Sequence, residues 1–389
     1  MKLDPQHFLK RPGINRLLKA LDAKHGTARF VGGAVRDQLL DVPHDDLDLA
    51  TTLPPDDVTR RLEAAGIKAV PTGIEHGTIT AVSSGTVVEV TTLRSDVSTD
   101  GRRATVAFTD DWRQDAGRRD FTINALYADP YTGELFDYFG GLDDLDTRTV
   151  RFIGDPLQRI AEDHLRILRY FRFHARYGHG APDAAALKAC TDRANDLMAL
   201  SRERIADELL KLLSLSYPTP TVRLMHAHGL FEPVVPEVAG VERLAKLVAA
   251  ERKANIAPDP LRRLSALLPP DPPSAERVAA RLKLSNKARK RLASAADLSL
   301  RETPQGLAYR LGTEGAVDRL LLASKPADAA RIANWAPPRL PIGGRELMAL
   351  GIAEGPAIAK AIKRIEDAWE KAGFPKGGDF KRIVEEALR

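Results

Sequence analysis

The stretch that decides the fold is Phe30-Val31-Gly32-Gly33-Ala34-Val35-Arg36-Asp37, followed by Asp46-Leu47-Asp48-Leu49-Ala50-Thr51. An apolar run that ends in two glycines and then turns amphipathic reads as a strand entering a helix. Gly32 and Gly33 let the backbone come close to a phosphate, and the helix start offers it free N–H groups. Arg36, one turn in, can add a bidentate hold on phosphate oxygens. Asp46 and Asp48 alternate on a strand, so both carboxylates point to one face. That pairing suits one or two Mg²⁺ ions, which take carboxylate and phosphate oxygens. Two such ions can activate an attacking hydroxyl and stabilise the leaving group. A third acid, Glu89, lies in a later β-prone run and can reach the same cluster across a sheet.

Outward from this stretch, residues 1–25 read as a short helix with Ile14, Leu17, Leu18 and Leu21 at helical spacing. Between about 27 and 140 the texture is α+β. Strands are expected at Ala28–Val31, Asp46–Ala50, Ile79–Val82, Thr86–Thr92 and Thr122–Ala128, with a hairpin turn at Ser83-Ser84-Gly85. Helices are expected at Ala34–Leu40 and Asp56–Ala65. Past about 150 the β signal fades, and Pro156–Arg176, Arg202–Leu215, Ala275–Leu284 and Gly355–Ala372 carry a helical period between Pro/Gly breaks. The expected fold is an α+β head followed by an all-helical remainder.

Composition narrows the setting. The chain has 389 residues, too many for one core. No apolar run approaches the roughly 18 residues that cross a bilayer, so no membrane partner is expected. Asp4, Pro5 and His7 stand where a signal peptide would be apolar. A lone Cys190 excludes an intrachain disulfide, and a reducing, cytoplasmic setting fits. Charge is uneven. From residue 251 onward there are 26 Lys+Arg against 17 Asp+Glu, while residues 1–250 hold 32 against 36. An acidic catalytic half joined to a basic half that meets a polyanion produces such a split.

A second informative stretch runs Arg159-Ile160-Ala161-Glu162-Asp163-His164-Leu165-Arg166-Ile167-Leu168-Arg169-Tyr170-Phe171-Arg172-Phe173. On one continuous helix Arg159, Asp163 and Arg166 would share a face, Arg169 would lie beside it, and Arg172 would be rotated away. Glu162 is placed to orient a neighbouring arginine.

Together, in this order, the segments resemble the DNA polymerase β-type nucleotidyltransferases, in the class II branch that holds CCA-adding enzymes (tRNA nucleotidyltransferases) and bacterial poly(A) polymerases. The Gly-Gly/Asp-x-Asp stretch resembles motif A. Arg118-Arg119-Asp120-Phe121-Thr122-Ile123-Asn124 resembles motif B, which implies that Arg119 and Asp120 meet the nucleotide's ribose and phosphates. Asp137-Tyr138-Phe139-Gly140-Gly141 resembles the hinge motif, and Ser201-Arg202-Glu203-Arg204 the helix that buttresses the neck. Glu162-Asp163-x-x-Arg166 resembles the nucleotide-selecting motif, with Arg169 and Arg172 lining the site. The matching segments run from about 28 to 215.

The resemblance implies Mg²⁺ as cofactor, with Asp46 and Asp48 as ligands and Glu89 as a further catalytic acid. It implies CTP and ATP as substrates and tRNA as partner, met at its 3′ end and along its elbow backbone. The segment from Thr72 to Arg94 looks like the CCA-adding branch. A same-family poly(A) polymerase, or an A-only or CC-only enzyme, is the alternative. A catalytically dead RNA-binding relative would be expected to lose a metal carboxylate or Arg166, and all are present. Expected divisions are a catalytic head at 1–140, a helical neck at 141–216, a body at 217–330 and a tRNA-contacting tail at 331–389. The polar connection Ser95–Gly117 is expected to be the flexible loop that reshapes the pocket between C and A.

Asp46→Ala and Asp48→Ala are each expected to abolish addition of C and A alike while tRNA binding survives. Primer extension in Mg²⁺ beside a filter-binding assay checks this, and near-normal turnover in either variant would remove the metal assignment.

Overall fold

A computed structural model describes residues 3–43, 46–100, 103–300 and 303–389, with the side chains of 96–100 and 103–106 outside the description. Its first element is a pair of short helices, Gln6–Leu9 and Ile14–Ala20, rather than one, because Gly13 between them takes φ +79°. Ile14, Leu17, Leu18 and Leu21 are all buried. The strands are β1 (Ala28–Val31), β2 (Asp48–Thr51), β3 (Lys68–Gly73), β4 (Thr78–Ser83), β5 (Thr86–Thr92), β6 (Arg94–Asp100), β7 (Arg103–Phe108), β8 (Leu126–Ala128) and β9 (Leu135–Asp137).

Seven strands form one mixed sheet in the order β3-β4-β5-β2-β1-β8-β9. Among the described residues only β2 and β5 run parallel. The turn between β4 and β5 needs left-handed backbone at Ser84 (φ 51°) and Gly85 (φ 85°), the conformation of a two-residue hairpin. Helices Gly33–Leu39 and Pro55–Ala64 follow β1 and β2. Alternation along β2 and β5 buries Leu47, Leu49 and Thr51 with Val88, Val90 and Thr92, while Asp48 and Glu89, partners in register, face the other way.

Three expected elements differ. The strand drawn from Asp46 begins at Asp48, leaving Asp46 just before it. The run Thr122–Ala128 is a 3₁₀ turn, Thr122–Asn124, leading into β8, because Asn124 turns its amide back to Asp120 instead of extending. The connection 95–117 holds an antiparallel hairpin, β6–β7, and the helix Trp112–Gly117. Gly101 and Arg102 of that connection, and His44 and Asp45, lie outside the described residues.

The chain divides into two units, 1–208 with 227–234, and 209–226 with 235–389. In the second, helix starts follow a simple code. Asp259, Asp271 and Thr303 each precede a proline and accept a backbone N–H of the first turn. The helix Pro304–Leu322 is broken at Gly312 (φ 77°, ψ 158°). Around Trp369, the residues Leu347, Ile365, Phe380 and Val384 form the core of the last three helices.

A buried ion network crosses the middle of this unit. Arg263, 1% exposed, donates to Glu251 Oε2 at 2.9 Å and to the carbonyls of Leu213 (2.7 Å) and Leu215. Arg262 joins Glu251 Oε1 (2.7 Å) to Asp318 Oδ1 (2.8 Å), and Arg291 closes on Asp318 Oδ2 at 2.7 Å. Removing one partner strands a charge away from water. Glu251→Ala is therefore expected to destabilise this unit by roughly 3–5 kcal/mol, read from urea unfolding followed by tryptophan fluorescence. A loss under about 1 kcal/mol would mean that water reaches the network.

Candidate active site

Two hollows open on the first unit, and Asp48 lines both. One, about 460 Å³, is lined by Gly32, Gly33, Arg36, Asp48, Arg118, Arg119, Asp120, Asn124, Asp163, Arg166, Arg169, Arg172 and Phe173. It gathers every residue that the sequence assigns to the nucleotide, Arg172 included, although a single straight helix would have turned Arg172 away. The other, about 550 Å³, is lined by Asp46, Asp48 and Glu89 with Arg11, Pro12, Leu47, Gly85, Thr86 and Val87.

Local backbone chemistry sets the first hollow. Gly32 takes φ +64° and ψ −120°, and a Cβ there would come within 3.3 Å of Arg119 Nη1. Only glycine combines that conformation with that approach. Arg36 is nearly buried, and donates to Asp37 (2.7 Å), Tyr177 Oη (2.7 Å) and Asn124 Oδ1. Its donors are thus largely engaged, and it offers the hollow its charge rather than an open fork.

The presumed single helix of the selecting motif is two helices, Pro156–Glu162 and Arg166–Tyr177. Asp163 between them is extended (φ −153°, ψ 106°), because its carboxylate accepts the N–H of Leu165 at 3.1 Å and Arg204 Nη2 at 2.7 Å. Asp163 and Arg166 still line one hollow. Arg166 is held by Glu162, by the carbonyl of Arg159 at 2.9 Å and by that of Arg118 at 3.3 Å. Glu162 also takes Arg159 at 3.0 Å. Arg169 grips Asp120 Oδ2 through Nε (2.9 Å) and Nη2 (2.6 Å), and Arg172 donates to the buried Glu208 at 2.6 Å. Burial would raise Asp120, but Arg169 and the Asn124 amide hold its carboxyl below the usual range. Six arginines against Asp48, Asp120 and Asp163 leave the hollow positive, as a triphosphate requires.

The acids are arranged oppositely. Burial, then the neighbouring Glu89 and the nearby Asp46, push Asp48 up to about 6 against the pull of Arg119 and Arg36. Crowded carboxylates with too little counter-charge are the chemistry that a divalent cation relieves. Among the described residues no three His, Cys, Asp or Glu side chains are gathered as a complete metal cage. Asp46 and Asp48 with phosphate and water oxygens fit Mg²⁺, which binds through one or two carboxylates plus substrate.

Sequence reasoning missed Asp115, which accepts from both Arg118 and Arg119. The signal was there, since Asp115, Arg118 and Arg119 stand at i, i+3 and i+4.

A mixed sheet with paired acids and an arginine-lined hollow defines a nucleotidyltransferase. Residues 28–151 match the model of the poly A polymerase head domain, and residues 182–241 match that of the probable RNA and SrmB-binding site of polymerase A. CCA tRNA nucleotidyltransferase 1, mitochondrial, of Mus musculus is 35% identical over 96% of this chain and 90% of its own length. The Homo sapiens protein of the same name is 34% identical over the same shares, 96% and 90%. The solved structure of the Bacillus stearothermophilus CCA-adding enzyme in complex with CTP is 26% identical, with a TM-score of 0.76 over 97% of this chain and 98% of that one. The chain belongs to the CCA tRNA nucleotidyltransferase family, whose transfer chemistry generally depends on divalent metal. Among the described residues no helix is long and apolar enough to cross a membrane.

Because Asp48 binds its proton more tightly when folded, its contribution to the stability of the metal-free fold is lost as pH rises from about 4 to about 6 and stays lost above that. Asp48→Asn is expected to stabilise the protein in EDTA at pH 7.5 by roughly 1–2 kcal/mol, less than the full shift because the side chain is partly exposed. Thermal melts at pH 4.5 and 7.5 check this, the gain being smaller at the acid end.

Proposed function

We propose that this chain adds C, C and A in turn to the 3′ end of tRNA, from CTP and ATP, with no nucleic-acid template and with Mg²⁺ as its metal. The observation that carries the reading is that Asp48 stands at the wall shared by two hollows. One, rich in arginine, takes the triphosphate, and the other leaves room for the acceptor end. Bound at Asp46 and Asp48, Mg²⁺ would supply charge stabilisation for the attacking hydroxyl and the departing pyrophosphate. Arg36, Arg119 and Arg169 then neutralise and orient the nucleotide's phosphates and ribose together with Asp120, and Gly32–Gly33 allow its close approach. Glu89 is the further acid beside Asp48.

Base choice falls to Asp163 and Arg166. Cytosine and adenine both present an exocyclic amine beside a ring-nitrogen acceptor, so an aspartate accepting from the amine and an arginine donating to the ring nitrogen satisfy either. Uracil and guanine present a carbonyl beside an N–H, which sets like against like at both positions. Arg204 and the Leu165 amide fix the aspartate, and Glu162 fixes the arginine. Arg172, anchored on Glu208, completes the wall. The hairpin β6–β7 with its connecting residues is the part of this reading that would adjust the pocket between C and A. The divisions at 140, 216 and 330 are kept as head, neck, body and tail, with the tail meeting tRNA. A cytoplasmic setting, with the buried Cys190 reduced, belongs to the same reading.

The test supplies tRNA lacking its 3′ end with CTP, ATP, UTP and GTP, singly and together, and sequences the products. The expected product ends in CCA, and tails of many adenosines or a stop after CC with ATP present would favour a narrower relative. Asp163→Ala and Arg166→Ala are expected to lose roughly 1–3 kcal/mol of discrimination per base contact, read as a rise in UTP and GTP use relative to CTP and ATP.

A further inference from the structure

We propose that Asp115 is a positioning residue for nucleotide binding, a single buried carboxylate that aims both Arg118 and Arg119 into the triphosphate hollow and ties them to the base of the β6–β7 hairpin. Asp115 sits on the helix Trp112–Gly117, is 1% exposed and does not line the hollow itself. Its Oδ1 accepts Arg118 Nε at 2.8 Å and the backbone N–H of Arg94, the first residue of β6, at 3.3 Å. Its Oδ2 accepts Arg119 Nη2 at 3.0 Å, Arg119 Nε at 3.3 Å and Tyr127 Oη at 2.7 Å. Both oxygens are therefore committed, and each arginine meets its own oxygen.

The physical need is plain. Arg118 and Arg119 are adjacent in sequence, both mostly buried, and both line the hollow. Two guanidiniums there repel each other unless an anion stands between them. Burial alone would raise Asp115, yet Arg119 and Arg118, helped by the Tyr127 hydroxyl, hold it at about 2. Asp115 is thus charged at neutral pH. With Nε and Nη2 tied to Asp115, Arg119 keeps Nη1 turned toward Gly32. The helix that carries the carboxylate is itself pinned. Asp111 caps its start, and Arg29 lies 4.2 Å over the Trp112 ring and 3.5 Å over that of Phe136. Of its four donor residues, Arg94 and Tyr127 anchor the carboxylate in the core, and the other two are guanidiniums that line the hollow.

The inference rests on the reading of this hollow as the nucleotide site, and one assay separates the two. Wild-type protein must first extend truncated tRNA with CTP and ATP; failure there removes the functional reading, and this inference is then read from the Kd of CTP and of ATP in place of KM. Asp115→Asn keeps the shape and removes the charge. KM for CTP and for ATP is expected to rise about tenfold or more, in parallel, while KM for tRNA stays within about twofold. Preference for C and A over U and G should be unchanged, since Asp163 and Arg166 are untouched. Tyr127→Phe, which removes a donor to the same carboxylate but leaves the charge, should lower thermal stability and move the nucleotide KM by no more than about threefold. If Asp115→Asn is insoluble, Asp115→Glu takes its place, with an expected rise of about threefold, because the carboxylate is kept but displaced. Unchanged nucleotide KM in a folded variant at Asp115, or an equal loss toward tRNA, overturns the proposal.

Discussion

The parallel pairing of β2 with β5 is the constraint on which the site depends. It sets Asp48 directly beside Glu89 on the face opposite Leu49 and Val90, whose burial fixes the register. A slip by one residue would send the acids into the core and the apolar side chains into water, so hydrophobic burial enforces the position of the carboxylates. The same packing forces two like charges together in a partly desolvated place. The fold holds this unfavourable arrangement because core burial outweighs it, and a bound cation turns it into an advantage.

The arginine-rich wall is organised on the reverse principle. Half of its six cations are matched to an acid from another element, Arg169 to Asp120, Arg172 to Glu208 and Arg166 to Glu162, and Arg204 beside them holds Asp163 in the same way. These pairs link the segment before the 3₁₀ turn Thr122–Asn124, the helices Pro156–Glu162 and Arg166–Tyr177, and the helix Arg202–Leu213. Each pair is at least half-buried, where side chains lose their rotamer freedom before a ligand arrives. Ordering that a triphosphate would otherwise have to impose is already in place.

Much of this was legible in the sequence because it is local. Gly32-Gly33, Asp46-x-Asp48 and the alternation of β5 declare their conformations within a few residues. What stayed hidden depends on distant partners. A helical period runs unbroken from Pro156 to Arg176, and nothing within it announces that Arg204 and the Leu165 amide draw Asp163 out of the helix. That break lets Asp163 and Arg172 line one hollow, where a single helix would set them about half a turn apart. The connection 95–117 reads as a polar loop, and its pairing as the hairpin β6–β7 depends on a partner strand that neither segment announces. Arg36 shows the opposite failure, for the motif predicts a free fork and its donors are already engaged.

The break at Asp163 has a mechanical meaning. A continuous helix would lock the spacing of Asp163 and Arg166 to the rise of its backbone, and any change in that spacing would cost several consecutive hydrogen bonds. Here the aspartate stands at a joint between two rigid rods, one ending at Glu162 and the other starting at Arg166. Rotation about a few backbone bonds there changes the gap between acceptor and donor while both rods stay intact. On the function proposed above, a reader of bases built on such a joint has compliance along one direction and stiffness along the others. That is the motion which exchanging a one-ring for a two-ring base would ask of it.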